Sequence, residues 1–225
     1  PLEFVMHRLT LRSAGHGRAM RYETELTNAK PPGLIRCHGS FGPWEAESPS
    51  DTPVSGEYTF EKADLGVFRG IAGTLSSQGR FRGVLGEIAV DGTTRTPDFR
   101  LTAGGNAVPL ETSFHAIVDG TNGDTRLEPV SGRLGTSSFT VNGSVARNAG
   151  ARGKTVALEA SVAEGRIDDF LRLAMKSDRP FLSGGIGMRT RIVVPPGSGE
   201  IADRLELKGT FRLTDARFTS RAVQD

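Results

Sequence analysis

The stretch RLELKGTFRLTDARF, residues Arg204–Phe218, alternates apolar and polar side chains. Successive side chains of a strand point to opposite faces. Leu205, Leu207, Phe211 and Leu213 therefore share one face, and Glu206, Lys208, Thr210 and Arg212 share the other. Gly209 stands where the alternation wants another apolar residue. A glycine there marks a bend, a bulge or a close approach of backbone. The stretch reads as a strand with one greasy face and one wet face. What the greasy face touches decides the function.

The same period recurs along the chain. Met20, Tyr22, Thr24 and Leu26 alternate with charged residues, and so do Tyr58 and Phe60. Ile88 and Val90, then Phe99 and Leu101, then Phe114, Ala116 and Val118 form further sets. Phe139, Val141 and Val145 follow, then Val156 to Val162, then Met188 to Val194. This is about a dozen strands. Asp91-Gly92, Asp119-Gly120, Asn122-Gly123 and Asn142-Gly143 are expected to be tight turns, because type I′ hairpins favour these dipeptides. Hairpin-linked neighbours are antiparallel, so the chain reads as a long meander bent at its glycines. One helix interrupts it over residues 166–176, where Ile167, Phe170, Leu171 and Ala174 line one side. Asp168 and Asp169 fall in its first turn, where the helix dipole favours anions. A shorter turn is expected at Asp64–Arg69, capped by Asp64. The expected fold is mainly β, a strongly curved antiparallel meander sheet. It would form a groove, a half-barrel or an incomplete sandwich. Residues 1–225 read as a single segment of a longer chain, with a loop break at 42–53, because the first residues already lie inside a strand pattern.

Composition narrows the function. The hydrophobic fraction is 36% and glycine accounts for 29 of 225 residues, nearly twice the usual ~7%. Net charge is +2, and no basic stripe offers itself to nucleic acid. No run of 18 apolar residues is present, so no helix is expected to span a membrane. Cys37 is the single cysteine, which excludes an internal disulfide. It alternates with Ile35 and Phe41, the pattern of a buried thiol and not of a nucleophile.

The motifs with chemical meaning fail on inspection. NAGARGKT, Asn148–Thr155, resembles a phosphate-loop tail, but it lacks the first glycine and precedes a strand where a helix is required. DGTNGD, Asp119–Asp124, lacks the spacing and terminal glutamate of a calcium loop. His7, His16, His38 and His115 are dispersed and build no zinc set. Adjacent aspartates on a helix diverge, so Asp168 and Asp169 do not make an acid–base pair. No catalytic, metal or cofactor site is expected.

Longer runs carry a resemblance. They include G-x-L-x-S-x-G-x-F-x-G from Gly73 to Gly83 and V-D-G-x-T-x-T-P-D-F from Val90 to Phe99. They continue through FHAIVDGTNGDTRLEPVSGRLGTSSFTVNGSV and GRIDDFLRLAMKS to IADRLELKGTFRLTDARFTS. Over about Gly56–Ser220 the chain resembles the AsmA-like proteins of diderm bacteria. The resemblance implies a periplasmic β-rich body of a bridge-like lipid-transfer protein. It implies a membrane anchor outside this segment and neighbouring segments of the same longer chain as partners. It further implies movement of phospholipid between inner and outer membranes, in support of envelope integrity, with no catalytic residue. Candidate groove positions are Ile88, Val90, Phe99, Leu101, Phe114, Val118, Phe139, Val141, Leu205, Leu207, Phe211 and Leu213. The rival expectation is a structural or protein-interaction module of the cell envelope. There the same stripe packs into a closed core, against a second sheet or against the helix. On either reading Leu207→Asp is expected to destabilise the chain.

Overall fold

The structure, a computed structural model, describes residues 4–13, 15, 17–148, 153–177, 179–197 and 201–219. His16 and residues 149–152 of the glycine-rich stretch lie outside the described residues. The alternating segments become strands. In chain order these are β1 (Phe4–Arg12), β2 (Met20–Ala29), β3 (Pro32–Phe41), β4 (Pro53–Asp64), β5 (Ile71–Ala72), β6 (Thr74–Val84) and β7 (Glu87–Thr96). They continue with β8 (Arg100–Leu101), β9 (Leu110–Val118), β10 (Thr125–Leu134), β11 (Ser137–Ala146), β12 (Thr155–Arg166), β13 (Leu182–Val194) and β14 (Glu206–Phe218). Twelve of them form one antiparallel meander in the order β1-β2-β3-β4-β6-β7-β9-β10-β11-β12-β13-β14. The sheet does not close into a barrel. β5 and β8 pair separately as a small ribbon. β3 and β4 pair directly across the loop at 42–53, which holds a 3₁₀ turn at Pro49–Asp51.

Two of the four expected turns are corrected. Asp91-Gly92 lies inside β7 and Asn142-Gly143 inside β11. At both glycines the requirement is space. A Cβ on Gly92 would lie 2.6 Å from the Phe114 ring, and one on Gly143 would lie 2.1 Å from the Ala157 carbonyl. Asp119-Gly120 and Asn122-Gly123 do lie in a turn, between β9 and β10. The Asp119 carboxylate accepts from the Thr121 N–H and hydroxyl and from the Asn122 amide, and these bonds hold it below the usual carboxylate range.

The strands bend where their register slips. Bulges fall at Met6/Arg8, Phe60/Ala63, Leu127/Val130, Val162/Gly165 and Ser183/Gly185. Pro129 sits in the β10 bulge, where its missing N–H costs no ladder bond. One backbone bond joins connections from opposite rims of the sheet. The Ile201 N–H donates to the Arg69 carbonyl at 3.0 Å. Ile201 follows β13 and Arg69 precedes β6, and six strand-to-strand steps separate those two strands. On a flat sheet those steps would span about 29 Å.

One rim of the sheet carries a cap. Three connections lie there: 65–73, 97–109 and 167–181. The first contains the expected turn, a 3₁₀ helix at Leu65–Val67 whose N-cap, Asp64, accepts from the Gly66 N–H. The third contains α1 (Ile167–Ala174), shorter at both ends than residues 166–176. Its C-terminus is peeled away by Asn106, whose side-chain amide donates to the carbonyls of Met175 and Ser177, each at 3.0 Å. Most of the described core gathers at this rim: Leu65, Ala72, Val108 and Ile167 of the cap are buried, as are Ala63, Leu134 and Val162 of the sheet, while Ala116 and Ala160 are buried farther along the sheet's apolar face.

Candidate functional site: the apolar face of the sheet

Register decides which side chains share a face, because paired residues of an antiparallel ladder point the same way. One row can be followed across the whole sheet. Leu11, Tyr22, Gly39, Gly56, Phe81, Val90, Ala116, Leu127, Gly143, Leu158, Ile192 and Leu207 are successive cross-strand partners. No charged side chain interrupts this row. Eleven strand spacings make it about 53 Å long. The next row toward the uncapped rim is equally apolar from Phe41 through Val54, Ile88, Val118, Val145 and Val156 to Val194. The row on the other side mixes aromatic and small residues, among them Tyr58, Phe114, Val130, Val141 and Ala160.

Nine of the positions chosen from sequence lie on this face: Ile88, Val90, Phe114, Val118, Phe139, Val141, Leu207, Phe211 and Leu213. Phe99 and Leu101 are corrected. They belong to the rim cap, where Leu101 pairs with Ile71 and the Phe99 carbonyl accepts from the Val108 N–H. The capping loop doubles back there, so the local alternation never enters the large sheet. Leu205 precedes β14 and is outside the ladder. The candidate positions also left out side chains at the centre of the band. Phe81, Leu127, Leu158 and Ile192 occupy the continuous row, and only pairing register puts them there.

The face shields part of itself. Rings stand opposite glycines on neighbouring strands, as in Tyr22–Gly39, Phe81–Gly56, Tyr58–Gly79, Phe114–Gly92 and Phe139–Gly132. A Cβ at Gly132 would lie 2.2 Å from the Phe139 ring, so the glycine is what lets the ring lie down. Among the described residues no second sheet stacks on the band, and α1 packs at the capped rim, against β12, β13 and β8 and, through Asp169, the β10–β11 turn. Cys37 and Tyr22 belong to this face, with thiol and phenol 3.4 Å apart. Partial burial pushes the Cys37 thiol up from its usual range, the opposite of what a nucleophilic thiolate needs.

The opposite face is charged, and its charges run in paired ladders. Glu25, Arg36 and Glu61 link at 2.9 and 3.2 Å. Arg95, Glu111 and Arg133 link at 3.7 and 3.2 Å. Asp91 meets His115 at 2.8 Å and Arg80 at 3.7 Å. The His115 hydrogen bond, with the charges of His115, Arg80 and Arg82, holds the Asp91 carboxyl below its usual range. This His–Asp pair is one rung of a ladder, and no hydroxyl bonds the ring among the described residues. Two recesses of about 860 and 740 Å³ lie on this charged side and share Thr59, Gln78, Thr93 and Ser113. A twisted sheet is a saddle, concave on each face along a different diagonal, so recesses on the wet face accompany the curl.

No family model, curated protein or solved structure matches the chain.

Proposed function

We propose that the apolar face holds phospholipid acyl chains, and that the chain is a non-enzymatic segment of an AsmA-like, bridge-like lipid carrier of the bacterial periplasm. The observation that carries this reading is the uncharged row from Leu11 to Leu207, running about 53 Å across twelve strands with no sheet stacked on it among the described residues. Exposed apolar patches on soluble monomers rarely exceed a few hundred Å², and larger ones mark surfaces that meet an apolar partner. An acyl chain in water costs ~0.8 kcal/mol per CH₂. A continuous band offsets that cost at every position along it and needs no reactive group. Anchoring to the inner membrane by a segment outside this chain, and delivery toward the outer membrane, belong to the same proposal.

The test is photocrosslinking with benzoylphenylalanine at Phe114 and Leu207 in cells, followed by mass spectrometry of the adducts. Phospholipid adducts at these positions, absent from control probes at Thr93 and Lys208 on the charged face, are the expected result. Adducts to protein alone would reject the reading. A second reading, a structural module with a closed core, has one observation in its favour. At the capped rim Ile167, Leu65 and Val108 bury the face as a core would. On that reading the purified chain carries no lipid in native mass spectrometry.

A further inference from the structure

One row of the apolar face changes character at its middle. Across β2, β3, β4, β6, β7, β9, β10 and β11 it reads Leu26, Ile35, Phe60, Ser77, Thr94, Thr112, Gly132 and Phe139. Its two ends are apolar, and three hydroxyls stand together between them. The Tyr58 phenol reaches in from the neighbouring row, 3.1 Å from the Ser77 hydroxyl, and the Thr94 and Thr112 hydroxyls are 2.7 Å apart. A pair of hydroxyls uses one of its two hydrogens, so each pair keeps one O–H to donate. These four hydroxyls make no other hydrogen bond among the described residues. Burial pushes the Tyr58 phenol up from its usual range, which keeps it protonated. Two residues beyond Thr94 on the same face of β7, Thr96 is 1% exposed, and its Oγ1 has no partner among the described residues.

Packing does not demand these hydroxyls, because the ring-over-glycine arrangement occurs twice. Tyr22 stands opposite Gly39 and meets Phe81 over Gly56, and Tyr58 stands opposite Gly79 and meets Phe114 over Gly92. Toward the cap, the first set is flanked by Cys37, Tyr58 and Gly79, and the second by Ser77, Thr94 and Thr112. The same rings therefore pack as well beside a thiol and a glycine. Acyl chains laid over the face would take water from the hydroxyls, and hydrocarbon accepts no hydrogen bond, so uncovered O–H groups would be stranded at a cost. From this row to the row of Leu11 and Leu207, no lysine or arginine stands on the face. A phosphate would find no cation here, whereas a neutral carbonyl oxygen needs none. We infer that the hydroxyls of Tyr58, Ser77, Thr94 and Thr112 receive the ester carbonyl oxygens of a diacyl glycerolipid, whose chains then lie over the apolar rows. The inference rests on the reading of this face as an acyl-chain surface, and adds where the polar end of the lipid sits.

The test compares two lipids that differ only in their linkage, dioleoyl phosphatidylcholine and its dioleyl ether analogue, which lacks both carbonyls. Each displaces a nitrobenzoxadiazole-labelled fatty acid from the whole chain, and fluorescence reads the affinity. The ester lipid is expected to bind about tenfold tighter to the wild type, a comparison that needs no variant. Ser77→Ala combined with Thr94→Val and Thr112→Val is expected to abolish the preference by weakening the ester lipid alone. Thr93→Val with Ser113→Ala, on the charged face, is expected to leave the preference unchanged. Uptake of the labelled fatty acid checks that each variant still presents the face. Equal binding of the two lipids by the wild type, or a preference that survives the triple substitution, would overturn the inference and leave acyl-chain binding standing. Binding of neither the fatty acid nor the lipids would overturn the acyl-chain reading and the inference with it.

Discussion

Asp169 is the residue whose part in the fold was least visible in the chain. With Asp168 it reads as an acid in the first turn of a helix. Only Asp168 stays near the surface, 3.2 Å from Arg166. Asp169 is buried, and its carboxylate accepts from the Thr136 N–H, the Thr136 hydroxyl and the Ser137 hydroxyl at 3.0, 2.8 and 2.7 Å. The Ser137 hydroxyl in turn accepts from the Arg166 N–H at 2.8 Å. The cluster pins α1 to the β10–β11 hairpin across more than thirty residues of chain. Removing the carboxylate strands several buried donors. Asp169→Ala is therefore expected to lower unfolding free energy by about 3 kcal/mol. Asp169→Asn, which keeps an acceptor, should cost clearly less. Urea denaturation of both variants measures the difference. Nothing local announces this role, because the partners lie on another hairpin and meet Asp169 only after folding.

At the scale of the element, alternation located nearly every strand, since a half-buried strand must sort its side chains by face. Its weak point was glycine. Asp91-Gly92 and Asn142-Gly143 carry the signature of a hairpin turn, yet each lies mid-strand, where a ring or a carbonyl occupies the space of a Cβ. The same residue type serves a turn and a close approach, and only the neighbour across the ladder tells them apart. Position within the sheet also revises the weight of single strands. Leu207 is 57% exposed at the edge, whereas Phe114 lies at the centre over Gly92. Leu207→Asp removes little burial and is expected to cost less than about 1 kcal/mol, contrary to the expectation from pattern alone. Phe114→Asp places a carboxylate among packed rings and is expected to cost about 3 kcal/mol. Thermal and urea unfolding of the two variants side by side decides the point.

The whole molecule is a curled meander in which nearly all ladder contacts join neighbours in sequence. Such a sheet has a stability gradient, because central strands are held on two sides and edge strands on one. Amide exchange is expected to be slowest in β6, β7, β9 and β10, and fastest in β1 and β14, with β12 and α1 protected by the rim cap. Uniform protection across all twelve strands would mean that something covers both edges. The sequence by itself determined the strand content, the two-faced character of each strand, the helix and its acidic start, and the absence of charge from one face. These are local properties, written with periods of 2 and 3.6 residues. Only the tertiary structure decided that the apolar positions align into one unbroken row, that Phe99 and Leu101 leave it for the rim, and that Ile201 comes round to Arg69. Those outcomes depend on register, bulges and accumulated twist. Each is a sum over many strands, and no single stretch, not even Arg204–Phe218, carries that sum.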